Sequence, residues 1–180
     1  MPVDMKSVIA ESLMKLSQRN GLDKVTVKAL IEECHISRQT FYYHFQDMMD
    51  VLEYIIRQVT RQLEEESLRA ETPREALKVF VAFSVERFPM LRSLLDSQRR
   101  TRVEQLMLEA VMGYLSTLAQ EGPQDLPISM GDREVLLRYN AWGLVGVLLE
   151  YAGKPDLDQD RLASQLERIV SGEIAGWREN

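Results

Sequence analysis

The chain has little of what cross-links or interrupts most folds. Its 180 residues include one cysteine, two histidines, six prolines and nine glycines. A single cysteine, Cys34, rules out an internal disulfide and fits a reducing compartment, so a cytoplasmic location is predicted. The two histidines and Cys34 lack the spacing of a tetrahedral zinc site, and we expect no metal and no cofactor. No apolar run reaches the roughly 18 residues that a membrane span needs, and the N-terminus has no signal-peptide core.

Catalytic patterns are also missing. No glycine-rich phosphate loop, no G-x-S-x-G and no Ser/His/Asp arrangement in a suitable context occurs. The acidic run Glu64–Glu66 is typical of a solvated helix face rather than of paired catalytic carboxylates. The basic run Arg99–Arg102 fits either the exposed start of a helix or an anion-binding patch, and the first reading is favoured. No catalytic residues are predicted, and we expect a protein that is not an enzyme.

Apolar residues at helical spacing dominate, and alternating β-branched patterns are absent, so the fold class predicted is all-α. A boundary after residue 47 is predicted to separate a three-helix unit, 1–47, from a larger helical unit, 48–180. About nine helices are expected, with a break at Pro89 and a loop at 121–131. Their predicted ranges are 4–19, 26–34, 37–45, 48–70, 72–88, a short helix ending at 95, 99–119, 132–152 and 158–177.

The stretch 26–45, TVKALIEECHISRQTFYYHF, carries the strongest functional signal. Thr26 and Ser37 are placed to cap two short helices, and Cys34–Ser37 form a four-residue turn between them. This layout is that of a helix-turn-helix, in which the first helix braces the second and the second enters a DNA groove.

The second of these helices has two distinct edges on a helical wheel. Phe41 and Phe45 lie on one face and are expected to pack inward, whereas Gln39 and Tyr43 lie on the opposite face. Arginine and glutamine can bond bidentately to guanine and adenine edges, and hydroxyl groups suit phosphates. Ordinary aromatic packing in a helical bundle is the alternative. The predicted DNA-binding residues are Thr26, Lys28, Ser37, Arg38, Gln39, Thr40, Tyr42, Tyr43 and His44.

Net charge is −6, which by itself disfavours a nucleic-acid partner. The charge is uneven, however, because residues 1–46 hold six basic and five acidic side chains, a net +1, and residues 47–180 carry −7. The segment with the helix-turn-helix pattern is the less acidic one. We therefore expect DNA binding of modest non-specific strength.

The same segment resembles the N-terminal domain of the TetR/AcrR family of bacterial regulators. The resemblance is specific over about 5–55, and residues 77–118 look more loosely like the C-terminal type of regulators related to the dihydroxyacetone-kinase regulator. His35 stands where the family usually has glycine, at a place that often needs a left-handed residue. Met48 stands where the family often has a phosphate-binding lysine. The matching positions are Thr26, Ile36-Ser37, Thr40, Tyr43 and His44-Phe45.

The resemblance implies that the larger unit binds a small effector between its helices. An apolar or amphipathic effector is the mild preference, since the inward-pointing candidates are apolar and aromatic. Each of these candidates is individually more typical of plain core. They are Phe80, Phe83, Met107, Tyr114, Tyr139 and Trp142.

A dimer is expected from the last two predicted helices, 132–152 and 158–177. The segment 140–152 is apolar nearly all round, as in a helix that is central or shared between chains. A two-fold dimer would present two recognition helices to a palindromic operator. The expected function is a ligand-responsive transcriptional regulator, more often a repressor. The alternatives are an activator of the same fold, or a helical ligand-binding protein with a vestigial helix-turn-helix.

Overall fold

A computed structural model describes residues 4–121, 129–151 and 153–170. These residues form eight α-helices and one 3₁₀ turn, Leu22–Lys24, and contain no strand. The predicted all-α class is confirmed. The helices are α1 Met5–Asn20, α2 Val27–Glu33, α3 Arg38–His44, α4 Met48–Ser67, α5 Pro73–Leu95, α6 Arg100–Glu121, α7 Met130–Tyr151 and α8 Gln159–Val170.

The chain packs as two compact units. The first unit is Met1–Val59 with Pro89–Met107, and the second is Thr60–Phe88 with Leu108–Asn180. Helices α4, α5 and α6 each contribute residues to both. This division describes packing, and the functional boundary predicted after residue 47 stays a prediction.

Polar caps set the ends of the first helices. The Asp4 carboxylate accepts a hydrogen bond from the backbone N–H of Lys6 at the start of α1. Gly21 ends α1 and donates its N–H to the Ser17 carbonyl. Its φ is +79°, a backbone conformation that residues with a Cβ rarely adopt. Asp47 Oδ1 accepts from the N–H groups of Met49 and Asp50, which confirms the predicted start of α4.

The core of the first unit forms where apolar faces of these helices meet. Helix α1 contacts the 3₁₀ turn, α2 and α3, and α2 contacts α3. Ile9, Leu13 and Leu30 are buried, and so are Phe41 and Phe45. The two phenylalanine rings lie 6.3 Å apart. The prediction that Phe41 and Phe45 face inward is confirmed, and it orients α3 with its other edge outward.

Helix α5 differs from the prediction. Pro89 was expected to end one helix and start a short second one, but it lies inside a continuous helix, Pro73–Leu95. A proline in a helix interior removes one backbone hydrogen bond at a cost of about 3 kcal/mol. Buried residues on both sides, among them Phe83 and Leu94, offset this cost and keep one helix. The described residues therefore hold eight α-helices rather than about nine.

The second unit has its own core around Tyr114. The Tyr114 ring stacks on Phe80 with centroids 5.5 Å apart, and its hydroxyl donates to Oγ of Ser67 over 3.0 Å. Burial raises the pKa of Tyr114 to about 12. Helix α8 joins this unit through Leu162, Ala163 and Leu166, which are buried.

Ion pairs fasten α8 to α5. Lys78 Nζ lies 2.7 Å from the Asp160 carboxylate, and Arg74 bonds to Ser164 and pairs with Glu167. The hydrogen bond from Lys78 and its charge lower the pKa of Asp160. Ile174 and Trp177, assigned to the predicted final helix, lie outside the described residues, as does most of the predicted loop at 121–131. Among the helices described, none is both long enough and apolar enough to cross a membrane.

Candidate nucleic-acid interface

The turn between α2 and α3 has the backbone that its position requires. His35 adopts φ +52°, the single positive φ at a non-glycine residue in the described chain. Its N–H binds the Glu32 carbonyl, and the Ile36 N–H binds the Ile31 carbonyl, so α2 closes before the chain reverses. Left-handed backbone is uncommon for residues other than glycine, although histidine is among the types enriched there. The predicted left-handed residue at 35 is confirmed.

Helix α3 presents one apolar edge inward and one polar edge to solvent. Phe41 is 0% and Phe45 2% exposed, whereas Tyr43 is 83% exposed. Arg38 and Gln39 are also exposed. An exposed helix edge with a guanidinium, an amide and a phenol has the donors and acceptors that read base edges and bind phosphates.

Hydrogen bonds between residues three positions apart stabilise the start of α3. Ser37 Oγ accepts from the Thr40 N–H over 3.0 Å and lies 2.8 Å from the Thr40 hydroxyl. Thr26 does the same for α2, with Oγ1 accepting from the Ala29 N–H over 3.1 Å. The caps predicted at Ser37 and Thr26 are confirmed. These hydroxyls are committed to the helix ends, so they fix backbone geometry in addition to any contact with a phosphate.

Of the remaining predicted DNA-binding side chains, Tyr42 and His44 lie on α3 and Lys28 lies on α2. The Arg38 guanidinium lies 5.5 Å from the Tyr42 ring centroid, and the Tyr43 and His44 rings meet edge to face at 5.0 Å. Lys28 is highly exposed and 3.9 Å from Glu32. An ion pair this exposed contributes little and does not hold Lys28 away from a phosphate.

Lys6 is a cation near α3 that the sequence did not single out. Its Nζ lies 5.4 Å from the Phe45 ring centroid and 5.8 Å from that of Tyr54, and the side chain is exposed. A lysine in the first turn of a helix carries no distinctive pattern in the sequence. Only the packing of α1 on Phe45 and Tyr54 brings it beside the end of α3.

Burial indicates the roles of two further residues, Met48 and Cys34. Met48 is 6% exposed, so it is part of the core and offers no side chain to a phosphate. Cys34 is half-buried, and burial raises the pKa of its thiol. A raised pKa disfavours the reactive thiolate, consistent with a structural cysteine.

The predicted effector-binding residues separate into two groups. Phe80, Phe83 and Tyr114 are buried in the second unit, and Met107 is buried in the first. Tyr139 and Trp142 do not point inward in a single chain: they are 71% and 63% exposed on α7. The error arose because α7 is apolar on both faces, so periodicity does not show which face is covered. Ala141, Leu144, Val145 and Leu148 form the covered face.

Within the described part of the chain, no group of three or more His, Cys, Asp or Glu side chains is arranged to hold a metal ion.

Comparison with known proteins gives a sequence match to the N-terminal part of the chain and fold matches to nearly all of it. Residues 9–55 match the sequence profile of the family described as bacterial regulatory proteins, tetR family. No curated protein sequence matches the chain significantly. Among solved structures, the dihydroxyacetone kinase operon activator DhaS superposes with a TM-score of 0.66 at 20% identity, over 96% of this chain and 97% of that one.

Two other solved structures show the same similarity of fold. A TetR transcriptional regulator from Streptococcus agalactiae 2603V has a TM-score of 0.66 at 18% identity, over 92% of each chain. The fatty acid degradation regulator FadR from Bacillus halodurans has a TM-score of 0.58 at 15% identity, over the whole of both chains. The predicted resemblance is confirmed: residues 9–55 carry the TetR-family sequence pattern, and the chain has the fold of TetR-family transcriptional regulators.

Proposed function

We propose that the protein is a ligand-responsive, DNA-binding transcriptional regulator that binds a palindromic operator as a homodimer. One observation carries the proposal: Arg38, Gln39 and Tyr43 form an exposed polar edge on α3, backed by the buried rings of Phe41 and Phe45. A helix oriented in this way after a tight turn is built to enter a major groove. The match of residues 9–55 to TetR-family regulators supports it.

Within this proposal the side chains divide their work. Arg38 and Gln39 read base edges, because each can form two hydrogen bonds to one base. Tyr43, with Thr40, Tyr42 and His44 beside it, binds phosphates and sets the register of the helix. Thr26, which caps α2, Lys28 within α2 and Ser37, which caps α3, add phosphate contacts.

The proposed dimer uses α7 and α8. Val135, Tyr139, Trp142 and Gly146 recur at helical spacing along the exposed face of α7, and they are exposed in the single chain. Added Cβ atoms at Gly143 and Gly146 would meet no described residue within 4 Å, which leaves room for a second helix to approach closely. Ile169 and Val170 of α8 are also exposed. An apolar surface of this kind marks an interaction site.

The proposed effector is an apolar or amphipathic small molecule bound in the helical second unit. Phe80, Phe83 and Tyr114 supply apolar surface there. The hydrogen-bonded hydroxyl groups of Tyr114 and Ser67 supply polar atoms next to that surface. A few oriented polar groups in an apolar lining are typical of small-molecule sites. Met107, which is buried in the first unit, is not part of this proposed site, and Tyr139 and Trp142 are reassigned to the dimer surface.

Repression is the proposed outcome of DNA binding, with activation the alternative. DhaS, a fold neighbour, is an operon activator. A promoter fused to a reporter separates the two outcomes: deletion of the regulator raises expression if it represses and lowers expression if it activates.

The central test is selection of DNA from a random pool, followed by binding of the selected site at two salt concentrations. We expect enrichment of a palindrome and weaker binding at higher salt, since phosphate contacts release counterions. If no sequence is enriched at low salt, the chain is a helical ligand-binding protein with a vestigial helix-turn-helix, and the proposal fails.

The dimer is tested by sedimentation of the full chain. Replacing both Tyr139 and Trp142 with glutamate places charge on the proposed interface and should yield a monomer. The matched control is Leu68→Glu, since Leu68 is an exposed apolar residue (47%) that belongs to neither α7 nor α8. A wild-type monomer, or equal dissociation by the control, rules out this interface.

A further inference from the structure

The first unit contains an ionic contact that joins two distant parts of the chain. The Asp23 carboxylate accepts hydrogen bonds from the Gln98 backbone N–H at 2.9 and 3.2 Å and from the Arg99 guanidinium at 3.2 Å. Asp23 lies in the 3₁₀ turn between α1 and α2, directly before the helix-turn-helix. Gln98 and Arg99 lie in the connection between α5 and α6.

Each side of this contact is held by its own local bonds. On one side, the Lys24 N–H binds the Gly21 carbonyl and the Val25 N–H binds the Leu22 carbonyl, which shape the turn around Asp23. On the other side, the Arg99 N–H binds Ser97 Oγ, and the Arg99 carbonyl accepts the first hydrogen bonds of α6. One carboxylate therefore connects the scaffold of the helix-turn-helix to the start of α6.

Packing next to this contact is incomplete. Residues 17–24 on one side and 89–97 on the other line a groove of about 490 Å³, and Asp23 is among its lining residues. The two segments enclose a groove beside Asp23 rather than a close-packed core, so the hydrogen bonds of this carboxylate are surrounded by fewer packing contacts than they would have in a core. The hydrogen bonds of Asp23 join the two segments at this point.

We propose that Asp23 is a positioning residue for DNA recognition: by binding Gln98 and Arg99 it fixes the orientation of the helix-turn-helix on α6. This inference rests on the proposed function, a dimer on a palindromic operator. Two half-sites are bound together only when both recognition helices are held at the correct separation and angle. One added base pair moves a half-site by roughly 3.4 Å and turns it by roughly 35°, so a rigidly held pair of helices discriminates against it.

The test measures affinity for the selected operator and for versions with the half-site spacing changed by one or two base pairs. The variants are Asp23→Ala, Asp23→Asn and Arg99→Gln. The matched control is Glu104→Gln, which removes the ion pair Arg100–Glu104 at 2.7 Å. Its carboxylate is about as exposed as that of Asp23, and the pair lies within α6 and joins no two segments.

We expect wild type to lose about tenfold in affinity when the spacing changes by one base pair. Asp23→Ala should bind the best spacing about five- to tenfold more weakly, since only a fraction of molecules holds the competent geometry. Its loss on changed spacing should shrink to about threefold or less. Asp23→Asn keeps an acceptor for the Gln98 N–H and should lie between wild type and Asp23→Ala. The spacing ratio is the affinity for the best spacing divided by the affinity for a changed spacing. Arg99→Gln should also lower this ratio, and Glu104→Gln should leave it unchanged.

The spacing ratio distinguishes positioning from simple destabilisation, because a smaller folded fraction lowers affinity for all spacings equally. An unchanged ratio in Asp23→Ala, or equal compression in Glu104→Gln, overturns the inference. If wild type itself forms no specific complex, the proposed function fails instead. Asp23→Asn and Arg99→Gln keep the inference testable should Asp23→Ala fail to fold.

Discussion

Tyr114 donates a buried hydrogen bond from its hydroxyl to Oγ of Ser67, 47 residues earlier in the chain. The bond satisfies both polar groups inside an otherwise apolar core, next to the stacked ring of Phe80. Tyr114→Phe keeps the ring and removes the hydroxyl, so the free energy of unfolding should fall by about 1–2 kcal/mol. Urea unfolding measures this loss. Ser67→Ala should cost a similar amount, and the double variant less than the two losses added, whereas strictly additive losses would contradict the coupling.

The same hydroxyl predicts a loss of stability in alkali. Burial raises the pKa of Tyr114 to about 12, and the unfolded value is about 10. Between these values the unfolded chain releases the proton while the folded chain keeps it, so stability falls as pH rises through this window. Wild type should lose about 2 kcal/mol more than Tyr114→Phe between pH 10 and pH 12. If the free energy of unfolding falls equally in the two proteins across pH 9–11, this prediction is wrong.

The left-handed backbone at His35 predicts which residues position 35 tolerates. His35→Val should destabilise the protein by about 1–2 kcal/mol, because a β-branched side chain is strained at φ +52°. His35→Gly relieves that strain but gains unfolded-state entropy, so the change should stay within about 1 kcal/mol. Thermal unfolding of both variants provides the comparison. Equal losses in the two would mean that the imidazole itself, rather than the backbone, is what the turn needs.

Two glycines of the second unit predict opposite effects of the same substitution. A Cβ at Gly153 would meet Phe88 Cε1 at 2.5 Å, so Gly153→Ala must displace the ring and should cost about 1–3 kcal/mol. A Cβ at Gly113, inside α6, meets none of the described atoms within 4 Å, and Gly113→Ala should raise the free energy of unfolding by about 0.5–1 kcal/mol through helix propensity. Denaturant midpoints test both. Stabilisation by Gly153→Ala would show that the ring moves without cost.

The exposed edge of α3 predicts two kinds of DNA-binding defect. Gln39→Ala removes a group that reads a base edge, so discrimination at one operator position should fall by about 1–3 kcal/mol. Tyr43→Ala removes a phosphate contact and should weaken all sequences alike. Binding to the selected operator and its single-base variants separates the two results. If neither variant alters affinity or base preference, α3 does not lie in the groove.

Much of the fold could be predicted because local signals were strong and agreed with one another. Apolar spacing identified the helices, and Thr26, Ser37 and Asp47 marked helix starts, since a side-chain oxygen there satisfies backbone N–H groups within three residues. The left-handed residue at His35 was expected from the resemblance to the TetR/AcrR family, which usually has glycine at this position, and not from a local signal. The two edges of α3 followed from the helical period alone.

Pro89 shows where local reasoning failed. By propensity a proline ends a helix, yet α5 continues through it, because burial on both sides outweighs the lost hydrogen bond. Tyr139 and Trp142 were wrongly assigned to the interior for a different reason. Aromatic residues on a helix with two apolar faces carry no sign of which face the rest of the chain covers, and in a single chain their face is exposed.

The sequence by itself determined most of the helices, the caps at Thr26, Ser37 and Asp47 and the polar edge of α3, because these depend on residues a few positions apart. Only the tertiary structure decided that Lys6 lies beside Phe45, that Met48 is buried, and that Asp23 binds Gln98 and Arg99. Those relationships join segments far apart in the chain, up to 76 residues for Asp23 and Arg99. They arise from the packing of whole helices, which no local pattern of residue types encodes.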